Sequence, residues 1–139
     1  MKSHLLSIAI ALLVGTLLVH GQGTFIYDQQ SSTNEVTFPL GGAIIQQFTP
    51  IGQSFTPALS SVGFIRLKLY DNNFSNSLGA VVYLNLRTNS ITGPILSSTA
   101  AINLTNGFAN VADFIFSAPV AVRPGASYIF EVIVQSGDL

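Results

Sequence analysis

Six carboxylates carry most of the reactive potential of this 139-residue chain: Asp28, Glu35, Asp71, Asp113, Glu131 and Asp138. Two carboxyl groups set across a sugar can hydrolyse a glycosidic bond, one as acid and the other as base or nucleophile. None of the six lies in a recognisable motif, and their positions fit strand faces and turns better than a catalytic pair. Both histidines, His4 and His20, fall within the first twenty residues, and there is no cysteine. Beyond residue 21 the chain therefore has no imidazole and no thiol, which removes Ser-His-Asp and Cys-His nucleophilic catalysis along with the nitrogen and sulfur ligands of zinc. A Ser-Lys pair would have to use Lys68, in the middle of an alternating apolar run. Gly41-Gly42 is followed by neither a helix signal nor a lysine, so no phosphate loop is present. The expectation is a protein that is not an enzyme and needs no cofactor.

Two binding chemistries remain. Calcium takes oxygen ligands, and "DNNFSNS", residues 71–77, concentrates them, with Asp71, Asn72 and Asn73 as candidates. Only Asp71 is charged there, and the spacing does not match the calcium loop of a helix-loop-helix site, so a solvated turn is the better reading and no metal is expected. Carbohydrate sites on β-sheets combine exposed aromatic rings with amide and charged side chains. Tyr70 and Tyr83, with Arg66, Asn85 and Arg87, can supply such a polar, aromatic face, although there is no tryptophan. Asn73-Phe74-Ser75 and Asn103-Leu104-Thr105 are glycan acceptor sequences only in a eukaryotic secretory pathway.

The elements that must position these side chains are strands. In "FIRLKLYD", Ile65, Leu67 and Leu69 alternate with Arg66, Lys68 and Tyr70, the period-two pattern of a half-buried strand. "AVVYLNLR" turns Val82, Leu84 and Leu86 one way and Val81, Tyr83, Asn85 and Arg87 the other. "ADFIFS" aligns Ala112, Phe114 and Phe116, and "SYIFEVIVQ" aligns Tyr128, Phe130, Val132 and Val134 against Glu131 and Gln135. β-branched and aromatic residues dominate these runs, as strand surfaces favour. Shorter strands are expected over residues 24–29, 44–48, 53–56 and 95–102. Turn signals separate them at residues 71–79, 88–94, 104–107 and 123–126, and Pro124-Gly125 suits the middle of a type II turn. About eight short strands with regular turns predict an all-β, antiparallel β-sandwich of jelly-roll type. Its expected core is Phe55, Leu67, Leu69, Leu84, Leu86, Phe114, Phe116, Phe130 and Val132.

Only 8% of the residues are charged, against about 25% in soluble proteins generally. Part of that deficit lies at the N-terminus, where "MKSH" precedes the unbroken apolar run "LLSIAIALLVGTLLV" and then "VHGQG". This is the layout of a secretory signal peptide over residues 1–21, cleaved between Gly21 and Gln22. Residues 22–139 then form one β-sandwich domain, a size at which a core suffices without disulfides. Its end at "QSGDL", directly after the most apolar strand, leads to the expectation that the domain is incomplete there. The processed chain has four basic and six acidic residues; with no basic patch, nucleic acid is not an expected partner, and no other segment is long and apolar enough to span a bilayer.

"GTFIYDQQS", "GQSFTPALSSVGFIRLKLYD", "VVYLNLRTNSITGPILSSTA" and "FIFSAPVAVRPGASYIFEVIVQSGD" together resemble a secreted bacterial β-sandwich module. That module occurs in surface proteins of the PEP-CTERM and choice-of-anchor kind, and the similarity spans residues 22–138. The resemblance implies export and a non-catalytic, structural or adhesive role at the cell surface or in extracellular matrix, with polysaccharide or other surface proteins as partners. Its shared features are structural. "GQSFTP" is accordingly read as a strand and turn that closes the sandwich.

Overall fold

The computed structural model describes residues 25–29 and 43–139. Among these the chain forms seven strands: β1 (Ile51–Phe55), β2 (Ser61–Tyr70), β3 (Ala80–Thr88), β4 (Ile95–Ser98), β5 (Ile102–Leu104), β6 (Ala109–Ala121) and β7 (Tyr128–Gly137). Every pairing is antiparallel. The larger sheet runs β1-β7-β3-β4, with β5 also on β3, and the smaller one pairs β2 with β6. No helix among the described residues is long and apolar enough to cross a membrane. The expected signal peptide and its cleavage point at Gly21 and Gln22 lie outside the described residues.

Alternation decides which side of each sheet is apolar. On β3, Val82, Leu84 and Leu86 are fully buried, and on β6 Ala112, Phe114 and Phe116 are buried. The two sheets contribute to the same core. One cluster unites Leu69 of β2 and Phe114 of β6 with Val82 and Leu84 of β3 and Val132 of β7. A second joins Leu86, Phe116, Val122 and Tyr128. Of the expected core residues, Leu69, Leu84, Leu86, Phe114, Phe116 and Val132 are buried, whereas Phe55, Leu67 and Phe130 are only partly covered. Strand β2 carries a register shift between Val62 and Phe64. At that point one residue of β2, Gly63, lies opposite residues 116–119 of β6, so the extra residues belong to β6; Val62 and Ile65, three positions apart, both pack against the second cluster.

Three strand expectations need correction. Residues 44–48 form a turn: the amides of Gln47 and Phe48 donate to the Ile44 carbonyl, and Thr49 Oγ1 donates to Ile45 O at 2.8 Å. These local hydrogen bonds replace a ladder, and only Ile45 is buried. Residues 25–29 form no strand; they lie against β2 through side chains, with Phe25 and Tyr27 edge-on to Phe64 at centroid distances of 4.4 and 5.4 Å. The run 95–102 is two strands, because β4 leaves β3 after Ser98 opposite Asn85 and β5 joins it at Ile102 opposite Val82. Thr99 bridges the break. Its amide donates to Leu84 O at 2.9 Å, and its hydroxyl accepts from Leu84 N at 3.0 Å.

The expected turn at residues 123–126 is present, with Gly125 at φ +78° and Ala126 N donating to Arg123 O at 3.1 Å.

Candidate functional site

The five residues expected to share one sheet face divide between the two sheets. Arg66 and Tyr70 are on β2, and Tyr83, Asn85 and Arg87 on β3. Each set lies on the side of its strand away from the shared core, so the two sets point away from each other. Period-two alternation assigns a side chain to a face of its own sheet, but two strands adjacent in sequence can belong to different sheets.

On the larger sheet, Asn85 and Glu131 face each other across the β3–β7 ladder and are both 5% exposed. Glu131 Oε2 accepts from Arg87 Nε at 2.7 Å and from Asn85 Nδ2 at 3.0 Å. Arg87 also donates to the Gly93 carbonyl at 2.7 Å, and Ser98 Oγ donates to Asn85 Oδ1 at 2.6 Å. These residues tie the 88–94 turn and β4 to the sheet. Tyr83 lies half-buried opposite Ile133.

On the smaller sheet, Arg66 bonds the Tyr27 hydroxyl and pairs with Asp113, its cross-strand partner. The Tyr27 hydroxyl first, and Asp113 second, hold its guanidinium above the ordinary arginine range. Nearby, Asp28 Oδ2 accepts from the amides of Ala58 and Leu59 at 2.7 and 3.0 Å. The arginine and these acids pin residues 25–29 to the 56–59 turn and to β2.

A concave site forms at the end of the smaller sheet, where the 71–79 loop meets the turn before β6. It is an open groove of about 540 Å³, lined by Tyr70, Asp71, Phe74, Asn106, Gly107, Phe108 and Ala109. Tyr70 arrives from the last position of β2, opposite Ala109, and its ring lies 5.3 Å from Lys68 Nζ. Phe74 projects from the loop and is 68% exposed. Asp71 holds the groove's two walls together. Its amide donates to Phe108 O at 2.7 Å, Oδ1 accepts from Asn73 N at 2.8 Å, and Oδ2 accepts from Gly107 N at 2.7 Å. Asn106 Nδ2 adds a bond to Phe74 O at 3.0 Å.

The calcium candidates Asp71, Asn72 and Asn73 are thus in this loop, with Asp71 buried and both of its oxygens engaged by backbone amides, and Asn72 and Asn73 exposed. Among the described residues no cluster of three metal-ligating acid, imidazole or thiol groups occurs. Tyr70 is the one residue of the expected carbohydrate set that lines the groove; Phe74, Asn106 and Phe108 were not anticipated. The available signal was the pair of polar turns, "DNNF" and "NGF", each ending in an aromatic residue. No protein-family model, curated protein or solved structure matches the chain.

Proposed function

We propose that this chain is a non-catalytic, exported β-sandwich module of jelly-roll type, with a structural or adhesive role at the bacterial cell surface or in extracellular matrix. The observation that carries this reading is how the acids are used. Each of the five described carboxylates holds a hydrogen bond or ion pair within the chain: Asp28 to the 56–59 turn, Asp71 to the turn before β6, Asp113 to Arg66, Glu131 to Arg87 and Asn85, and Asp138 to Asn76. Acids engaged in joining segments do not present the free oxygen that proton exchange with a substrate needs; the exception among the described residues is Asp138, whose Oδ1 is buried without a partner. The N-terminal signal layout and the PEP-CTERM-like segments support export; polysaccharide or another surface protein is the partner this role calls for.

The groove favours a second reading, carbohydrate binding. Its exposed Phe74, half-buried Tyr70 and amide-bearing Asn106 offer flat apolar surfaces beside a polar group, which moves the carbohydrate hypothesis from the Tyr83 face to the loop end of the smaller sheet. Retention of the purified chain on a polysaccharide array, with Phe74→Ala and Tyr83→Ala beside it, separates the readings. Binding lost in Phe74→Ala and kept in Tyr83→Ala establishes the groove as a sugar site. No retention on any polysaccharide leaves the structural role. Turnover of a polysaccharide that disappears when one carboxylate is changed to its amide overturns the non-catalytic reading.

A further inference from the structure

We propose that Asn106-Gly107 is a latent deamidation site, held in check by Asp71 and by the Phe74 carbonyl, whose conversion unlatches the 71–79 loop. This inference is independent of what the groove binds. Asn106 is the only asparagine in the sequence followed by glycine, and with no Cβ on the following residue nothing crowds attack by its backbone nitrogen. In the reaction the Gly107 amide loses its proton to solvent, and the nitrogen attacks Cγ of Asn106. The new C–N bond closes a succinimide, and the Asn106 side-chain nitrogen leaves as ammonia after taking a proton from water. A water molecule then opens the imide at either carbonyl, leaving aspartate or isoaspartate.

The fold opposes each stage. The attacking nitrogen is the donor in the 2.7 Å bond to Asp71 Oδ2. Removing its proton would place an anion against a carboxylate and forfeit a charge-assisted hydrogen bond. The side-chain amide that must turn toward that nitrogen is held by Phe74 O at 3.0 Å. The turn itself is closed by Phe108 N donating to Thr105 O at 3.0 Å, with Gly107 at φ +74°. Both residues are exposed, so water reaches the site and geometry alone slows the reaction. Once formed, the product lacks the donor that Asn106 gave to Phe74 O and adds a negative charge close to Asp71. Both changes weaken the contact between the 71–79 loop and the turn.

The test is peptide mapping of the purified full chain during prolonged incubation at mildly alkaline pH, folded and in urea, with Asp71→Asn alongside. Conversion at Asn106 is expected to be about 10- to 100-fold slower in the folded chain than in urea, the factor implied by loss of a hydrogen bond to a charged group. Folded Asp71→Asn is expected to convert faster than the folded wild-type chain but slower than the chain in urea, because the bond to Phe74 O and the closed turn remain. Equal rates in folded and unfolded wild-type chain, or a folded Asp71→Asn no faster than wild type, overturn the proposal. Amide hydrogen exchange of the wild-type chain tests the same guard where that variant does not fold: a Gly107 amide exchanging as fast as an unstructured one refutes it, and a slow one supports it. Asn106→Asp mimics one product and is expected to increase protease cleavage within residues 71–79; unchanged cleavage refutes the unlatching.

Discussion

Replacing Thr99 by valine tests how the larger sheet is assembled. Strand β3 is its centre, yet on the side away from β7 no single strand accompanies it, and Leu84 falls in the gap between β4 and β5. Leu84 is fully buried and Thr99 is 6% exposed, so water cannot replace the hydroxyl that accepts the Leu84 amide at 3.0 Å. Valine keeps the shape of threonine and the backbone bond from residue 99 to Leu84 O, and removes only that acceptor. An orphaned buried donor costs about 1 to 3 kcal/mol, and the good geometry here places the expected loss near 2 kcal/mol. For a domain of this size the corresponding fall in Tm is roughly 8 °C. Thr99→Ser is the control: it keeps the acceptor and loses one methyl group, a cost of about 0.8 kcal/mol. Urea unfolding followed by circular dichroism gives both values, provided the denaturant slope is unchanged. If valine is as stable as threonine, or serine is worse than valine, then the hydroxyl does not carry the splice and packing of the Thr99 methyl is what holds β4 and β5 to β3.

Glu131→Leu removes the acceptor of both Arg87 and the buried Asn85 amide, and stability is expected to fall by about 3 kcal/mol; adding Arg87→Leu should recover only part of that loss in the same urea titration, because the Asn85 amide stays unpaired, and a double variant as unstable as the single one would show that the ion pair is not a source of it. Gly93→Ala would place a methyl 1.9 Å from Thr88 O, so the 88–94 turn must open and release the carbonyl that Arg87 holds; the expected result is a loss of about 2 kcal/mol with faster amide exchange across residues 88–94, and wild-type exchange there would refute the close approach.

The legible part of the fold was the part governed by short-range periodicity. Residues 64–71, 80–87, 112–117 and 127–135 carry apolar residues at every second position, and each lies in or overlaps a strand whose apolar set faces the core. What alternation could not report was interruption. "ILSSTAAI" reads as one β-rich run, but Thr99 satisfies Leu84 through a side chain, which lets the chain leave the ladder without stranding a buried amide. "IIQQF" has strand composition as well; hydrogen bonds to the Ile44 and Ile45 carbonyls from residues three or four positions later settle it as a turn. Nor could alternation report the shift of register at Gly63, inside β2, which depends on the pairing with β6.

The groove was less legible than the strands because it depends on which sheet each strand joins. Tyr70 and Tyr83 are both polar-face residues of alternating runs, and nothing local distinguishes them. The difference arises from long-range pairing: β2 pairs with β6, which brings Tyr70 beside Ala109 and the "NGF" turn, whereas β3 pairs with β7, which brings Tyr83 beside Ile133 and Asn85 beside Glu131. One tyrosine therefore ends at a loop junction with two phenylalanines and an asparagine, and the other in the middle of a ladder. Asp71 shows the same dependence. As a sequence feature it is one acid in an amide-rich loop, suggestive of a cation; in the folded chain its oxygens face the amides of Asn73 and Gly107. Those two amides satisfy the acid as backbone donors satisfy a bound anion, so its role is to join the groove's walls, and any ligand specificity must come from the rings and the Asn106 amide around it.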